Sequence, residues 1–176
     1  MEDQDVAALL ADARERVDTL LDAWSERVQT IVPGRTGEAL GYALTTPGKR
    51  VRAALLMAAY RSVGGVSPAI AAVATAVETV HTYSLVHDDL PCMDDDDLRR
   101  GRPTTHRVYD VPTATRVGFR MVPVAALVLS QAARDLVLPP ATLGRMAREL
   151  FEAGGVTGMV GGQWLDLEAE GKRLDL

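Results

Sequence analysis

Apolar residues Val6, Leu9, Leu10, Val17, Leu20, Leu21, Trp24, Val28 and Ile31 recur largely at gaps of three and four, with charged positions between them. This is the stripe of an amphipathic helix, and it predicts a long one over residues 6–31. Between Ile31 and Arg50 the pairs Pro33-Gly34 and Pro47-Gly48 enclose a short apolar piece, which predicts two turns flanking a short helix. Val51 to Val63 predicts another helix, ended by Gly64-Gly65. Ser67-Pro68 has the order of an N-cap followed by a proline at the first helical position, and starts a helix running to about Leu90. From 91 to 112, Pro91, Gly101, Pro103 and Pro112 stand among charges and predict a long loop, a length that calls for a function. Alanine-rich helices are expected at 113–136, 140–152 and 156–170, separated by Pro139-Pro140 and Gly154-Gly155. Alternating strand patterns are essentially absent, so the expected fold class is an all-α helical bundle forming one domain over residues 1–176.

Composition narrows the class without changing it. The chain has 176 residues, 47% hydrophobic and 24% charged, with a net charge of -5, which describes a soluble globular protein. Its longest apolar stretches are interrupted by Glu78, Arg116 or Arg120, so no transmembrane segment is expected. The start Met1-Glu2-Asp3 lacks the positive region of a signal peptide, and the expected location is cytoplasmic. A single cysteine, Cys92, excludes an internal disulfide framework and fits a reducing compartment. With aromatics at 5% and no extended basic surface, nucleic acid is not an expected partner.

The densest chemistry lies in Asp88-Asp89-Leu90-Pro91-Cys92-Met93-Asp94-Asp95-Asp96-Asp97, where six of ten residues are aspartates. Carboxylates packed at about 4 Å repel by roughly 4 kcal/mol per pair at an effective dielectric near 20, so a site that gathers them usually brings cations. An all-oxygen ligand set suits magnesium, which keeps open positions for phosphate oxygens. A solvated acidic loop is the plainer reading. Pro91 interrupts any helix through the string, so helical phase does not tell which carboxylates converge. An EF-hand is excluded, because its glycine and closing glutamate are missing at the required spacing. Two basic clusters bracket the aspartates: Gly48-Lys49-Arg50-Val51-Arg52 upstream and Leu98-Arg99-Arg100-Gly101-Arg102 downstream. Arginine forks and a lysine suit phosphate oxygens, and two clusters suggest two diphosphates; helix-end arginines paired with nearby aspartates are the alternative.

Together these residues resemble the trans-type polyprenyl diphosphate synthases, the farnesyl and geranylgeranyl diphosphate synthase family. The likeness rests on Gly48-Lys49-Arg50-Val51-Arg52, on the run from Ala76 to His106, and on Gly161-Gly162-Gln163-Trp164-Leu165-Asp166. It is weak from about Val111 to Val156. The resemblance implies an isoprenoid-synthase helical bundle, condensation of isopentenyl diphosphate with an allylic diphosphate to a short-chain product, magnesium (Mg2+) as cofactor, and a homodimer. It makes Asp88, Asp89, Asp94 and Arg99 catalytic, with Asp88 and Asp94 as metal ligands. It assigns substrate binding to Lys49, Arg52, His81, Arg99, Arg100, Gln163 and Asp166. Tyr83, five residues before Asp88 and hence about 7.5 Å deeper on the same helix, would with Ser84 set product chain length. A tyrosine simply packed between helices, and a His81 that is a satisfied core histidine, are the alternatives.

Two departures from the family stand out. Its second aspartate-rich motif and Lys-Thr-Gly motif are missing from the 176 residues, with Asp166, Glu168 and Glu170 the nearest acidic candidates. Where the family has Gly-Asp-Ala-Leu in a buried helix, this chain has Gly118-Phe119-Arg120-Met121, with Arg116 one turn earlier and Pro123 following. Charges there are costly if buried unpaired. These departures leave open a partner subunit that binds a complete synthase. His87-Asp88 also raises a His-Asp metal phosphohydrolase as a third reading.

Overall fold

The computed structural model describes residues 3–169 as eight helices and one short hairpin. Helix α1 (Asp3–Ile31) buries Ala13, Val17, Leu21, Trp24 and Val28, one stripe of the expected helix. It packs on α2 (Arg35–Leu44) and α3 (Val51–Ser62), which contribute Leu40, Leu44 and Met57 to the core. Helix α4 (Ile70–Asp88) is the central one, buried on most sides by small and β-branched residues, and its broadest contact is with α6 (Val111–Asp135). Alanines at 71, 74 and 76 on α4 and at 114 and 132 on α6 keep side chains short in this shared core.

Helices α7 (Pro140–Ala153) and α8 (Met159–Ala169) lie at the periphery, and neither has a fully buried residue. Among the described residues no helix is long and apolar enough to cross a membrane. Glu170, one of the acidic candidates named above, lies outside the described residues.

Several boundaries differ from the expectation for local reasons. Helix α4 starts at Ile70 because Ser67–Ala72 is wound by bonds between residues three apart, Ile70 to Ser67, Ala71 to Pro68 and Ala72 to Ala69, a tighter lead-in than an α-turn. Ala69 rather than Ser67 therefore stands at the N-cap position, without a side-chain cap, and the Ser67 hydroxyl accepts from the Ala69 N–H at 3.3 Å within the lead-in. Helix α6 starts at Val111 because Asp110 accepts the Thr113 N–H at 2.6 Å. The segment 91–112 is not a plain loop. It folds into strands β1 (Leu98–Arg99) and β2 (Arg102–Pro103) and a one-turn helix α5 (Thr105–Val108). Between the strands Arg100 and Gly101 both have positive φ, 57° and 78°, the backbone of a tight two-residue hairpin turn.

The unusual charges of α6 are not buried. Arg116 and Arg120 face outward, and the helix runs unbroken through an exposed Pro123.

Candidate active site

Helix α4 delivers Asp88 and Asp89 at its C-terminal turn, and Pro91 stops it there. The chain then folds back. The Asp94 N–H donates to the Asp88 carbonyl at 2.8 Å, while the Leu90 carbonyl accepts from Met93 at 2.8 Å and from Asp95 at 3.2 Å. A left-handed Asp95, φ 50°, completes the return and carries its side chain to solvent. This turn decides what helical phase could not, because it sets Asp94 over Asp88.

The six aspartates separate by role. Asp89 is buried and accepts from Arg99 Nε at 2.8 Å, while Arg99 Nη2 also donates to Asp96 at 2.7 Å. Asp97 pairs with Arg107 at 2.9 Å. Asp88 and Asp94 are left facing outward, and partial burial, together with the Asp94 charge, raises the Asp88 carboxyl above its ordinary value even though Gln163 donates to it. Asp166, one turn further along α8, lines with Asp94 and Met93 a crevice of about 390 Å³. Two all-oxygen ligands beside an open crevice fit magnesium, which binds through one or two carboxylates and completes its shell with water and phosphate oxygens. Among the described residues no third acidic, histidine or cysteine ligand joins them into a closed cage.

On the other side of the hairpin lies a second cleft of about 560 Å³, lined by Lys49, Arg52, His81, Arg100, Arg14 and the buried pair Arg50 and Glu78. Arg50 caps α3 in the left-handed conformation, φ 52°, and is 5% exposed. Its guanidinium donates to Asp18 at 2.7 Å and to the Thr46 carbonyl at 3.0 Å, and lies 3.7 Å from Glu78. Glu78 in turn accepts the Ala53 N–H at 3.1 Å, satisfying one of the free donors at the start of α3. Arg50 therefore holds the loop, and its exposed neighbours Lys49 and Arg52 are the cations offered to the cleft. Gly48 leaves space for the Arg100 and Arg50 guanidinia, which a β-carbon there would strike. Arg100 donates to the Pro47 carbonyl at 2.8 Å, tying the hairpin to the loop.

His81 stands behind Arg52, with Nε2 3.3 Å from Arg52 Nη1. A guanidinium can only donate, so Nε2 accepts and the ring proton sits on Nδ1, which is buried without a partner. Burial, reinforced by Arg52, Arg100, Arg50 and Arg99, lowers the His81 pKa to about 4, so the ring is neutral at physiological pH.

Arg102 of the downstream basic cluster is not offered to a ligand. Its guanidinium stacks 3.6 Å over the Tyr42 ring and donates to the Thr45 carbonyl at 3.2 Å, which locks β2 on α2. Tyr83 is half-buried and meets the His87 ring edge-on at 5.1 Å, and His87 meets Phe119 in the same way at 5.3 Å. Ser84 is buried, its hydroxyl donating to the His81 carbonyl at 2.8 Å. This placement of His87 among aromatic rings, with Nε2 3.3 Å from the Thr115 carbonyl, gives no support to the His-Asp phosphohydrolase reading.

Sequence reasoning missed Asp18, Glu78 and Arg14 as parts of this region. Only Glu78 carried a signal, as the lone charged residue in the helix run from Ile70 to Val80.

Residues 34–175 match the polyprenyl synthetase family model. The chain is 40% identical over 172 residues to the farnesyl diphosphate synthase of Geobacillus stearothermophilus, covering 97% of this chain and 57% of that protein. It is 44% identical over 144 residues to the heterodimeric geranylgeranyl pyrophosphate synthase large subunit 1 of Arabidopsis thaliana chloroplasts, covering 82% of this chain and 38% of that one. A crystal structure of an FPP/GFPP synthase from Zymomonas mobilis superposes with a TM-score of 0.85 at 34% identity, covering 98% of this chain and 61% of that chain. A geranyltransferase from Legionella pneumophila gives 0.83 at 37% identity, with 93% and 56% covered. The chain spans about half the length of the curated relatives it matches.

Proposed function

Because this chain belongs to the polyprenyl synthetase family, we propose that it supplies the substrate-binding half of a short-chain prenyltransferase, which joins isopentenyl diphosphate to an allylic diphosphate and makes a farnesyl- or geranylgeranyl-type product. The observation that carries the reading is the hairpin turn. It sends Arg99 to the carboxylate side and Arg100 to the basic cleft, so two anion sites of different character flank two consecutive residues.

In this reading Asp88 and Asp94 would hold magnesium, which would supply positive charge beside the departing allylic diphosphate. Arg99, preset by Asp89 and Asp96, faces the same charge without having to reorganise. Gln163 fixes the Asp88 carboxylate, and Asp166 borders the same crevice. Lys49, Arg52 and Arg100 hold the diphosphate of isopentenyl diphosphate, and neutral His81 accepts from Arg52 to keep that fork aimed. The allylic carbon–oxygen bond breaks with its electron pair leaving on the diphosphate, the alkene attacks the resulting cation, and a proton is lost from the joined product. Tyr83, with Ser84 beside it, closes the floor below the carboxylates and limits chain length. The proposal includes one all-α domain, a homodimer with Phe119, Trp164 and Leu165 among the exposed apolar side chains a second copy could cover, and a place in the cytoplasm, in keeping with a lone unpaired cysteine.

Incubation with magnesium, isopentenyl diphosphate and geranyl diphosphate tests the proposal. The expected result is magnesium-dependent consumption of the allylic substrate, absent in Asp94→Ala. Consumption that ignores both magnesium and this substitution would overturn it.

A further inference from the structure

Three arginines of α1 differ in how they are held. Arg16 is bound to Asp12 of its own helix at 2.5 Å, and the Arg27 guanidinium rests 4.5 Å from the Trp24 ring centre. Among the described residues Arg14 has a single, longer polar contact, 3.5 Å from Asp18, with 60% of its side chain exposed. Asp18 is already committed, since its other oxygen takes the Arg50 Nε–H at 2.7 Å. An exposed pair of this kind contributes little, so Arg14 gives up almost nothing by leaving it.

The place to which it can move is defined. Arg14 lines the basic cleft together with Lys49, Arg52 and Arg100, and it also lines an adjoining hollow of about 220 Å³ with Asp18, Thr45 and Pro47. It therefore stands on the rim between an acidic partner it holds loosely and a cleft whose other exposed charged groups, Lys49, Arg52 and Arg100, are cationic. Nothing in the packing of α1 needs it, because the buried stripe of that helix runs through Ala13, Val17 and Leu21.

We propose that Arg14 is a further anion-binding residue of the basic cleft, parked on Asp18 when the cleft is empty and turned onto the outer phosphate of a diphosphate when it is filled. The inference rests on reading the cleft as a diphosphate site. It gives α1 a part in substrate affinity: the cleft receives a cation from outside the loop and hairpin that build its floor, and a doubly charged terminal phosphate gains most from it.

Calorimetric titration of the 176-residue protein with inorganic pyrophosphate tests this. Arg14→Gln should weaken binding by about tenfold and flatten its salt dependence, with Arg14→Lys recovering part of the loss and Arg16→Gln binding as the unaltered protein does. Exposure of Arg14 means the variants should keep the same helical circular dichroism. If Arg14→Gln binds normally while Arg52→Gln loses affinity, the cleft reading stands and the role of Arg14 is refuted. If the unaltered protein does not bind pyrophosphate, or Arg52→Gln has no effect, the cleft reading fails and the role of Arg14 with it.

Discussion

At the scale of single residues, Lys49, Arg50 and Arg52 look interchangeable in sequence, and what separates them is backbone conformation. A left-handed Arg50 turns into the protein toward Asp18 and Glu78, which no spacing rule reveals because its partners are 32 and 28 residues away. Removing one member of a buried pair leaves the other charge uncompensated. Glu78→Ala should therefore lower the unfolding free energy by about 3 kcal/mol in a denaturant titration, more than any change at exposed Lys49. His81 makes a pH prediction. Its pKa falls from 6.5 in the unfolded chain to about 4 in the folded one, so between these values the unfolded state binds the extra proton. This contribution to stability is complete above pH 6.5 and is lost as pH falls toward 4. Thermal melts should show that loss, and His81→Gln should reduce it; an unchanged pH dependence in the variant would mean that His81 is not buried neutral.

At the scale of elements, the apolar stripes made the helices legible and left the connections obscure. Helix α1 follows from its three-and-four spacing, whereas the hairpin at 98–103 has two-residue strands too short to show alternation. Its only sequence signal was Arg100-Gly101, a pair that accommodates positive φ. The pairing of Asp88 with Asp94 was legible through family resemblance alone, since the return turn depends on bonds to the Asp88 and Leu90 carbonyls. The region that departs from the family is likewise resolved by packing. Gly118 lets α6 approach α4, and a β-carbon there would run into the His87 ring, itself held between Tyr83 and Phe119. Gly118→Ala should destabilise the protein by about 1–3 kcal/mol by chemical denaturation. Because His87 meets the Tyr83 ring edge-on, the same variant should disturb that packing, seen as altered Tyr83 ring signals in NMR spectra.

At the scale of the whole molecule, the described residues supply one carboxylate pair and one basic cleft, while α7 and α8 pack lightly at the edge. Charge on a departing diphosphate is best neutralised from several directions, and a cation open to water is captured by it. A polypeptide of these 176 residues should accordingly release prenyl alcohol faster than it elongates, which chromatography of the products would show; efficient elongation at a confirmed mass of 18.9 kDa would contradict this. On the proposed function, two diphosphate sites of different chemistry flank the hairpin, one needing magnesium and the other only cations. The most direct test is calorimetry of geranyl diphosphate and isopentenyl diphosphate in turn, with and without magnesium, on the unaltered protein, Asp88→Ala and Arg52→Ala. Geranyl diphosphate should bind only with magnesium and be lost in Asp88→Ala, whereas isopentenyl diphosphate should bind without magnesium and be lost in Arg52→Ala. Geranyl diphosphate binding that persists without magnesium, or one substitution abolishing both ligands, would contradict this.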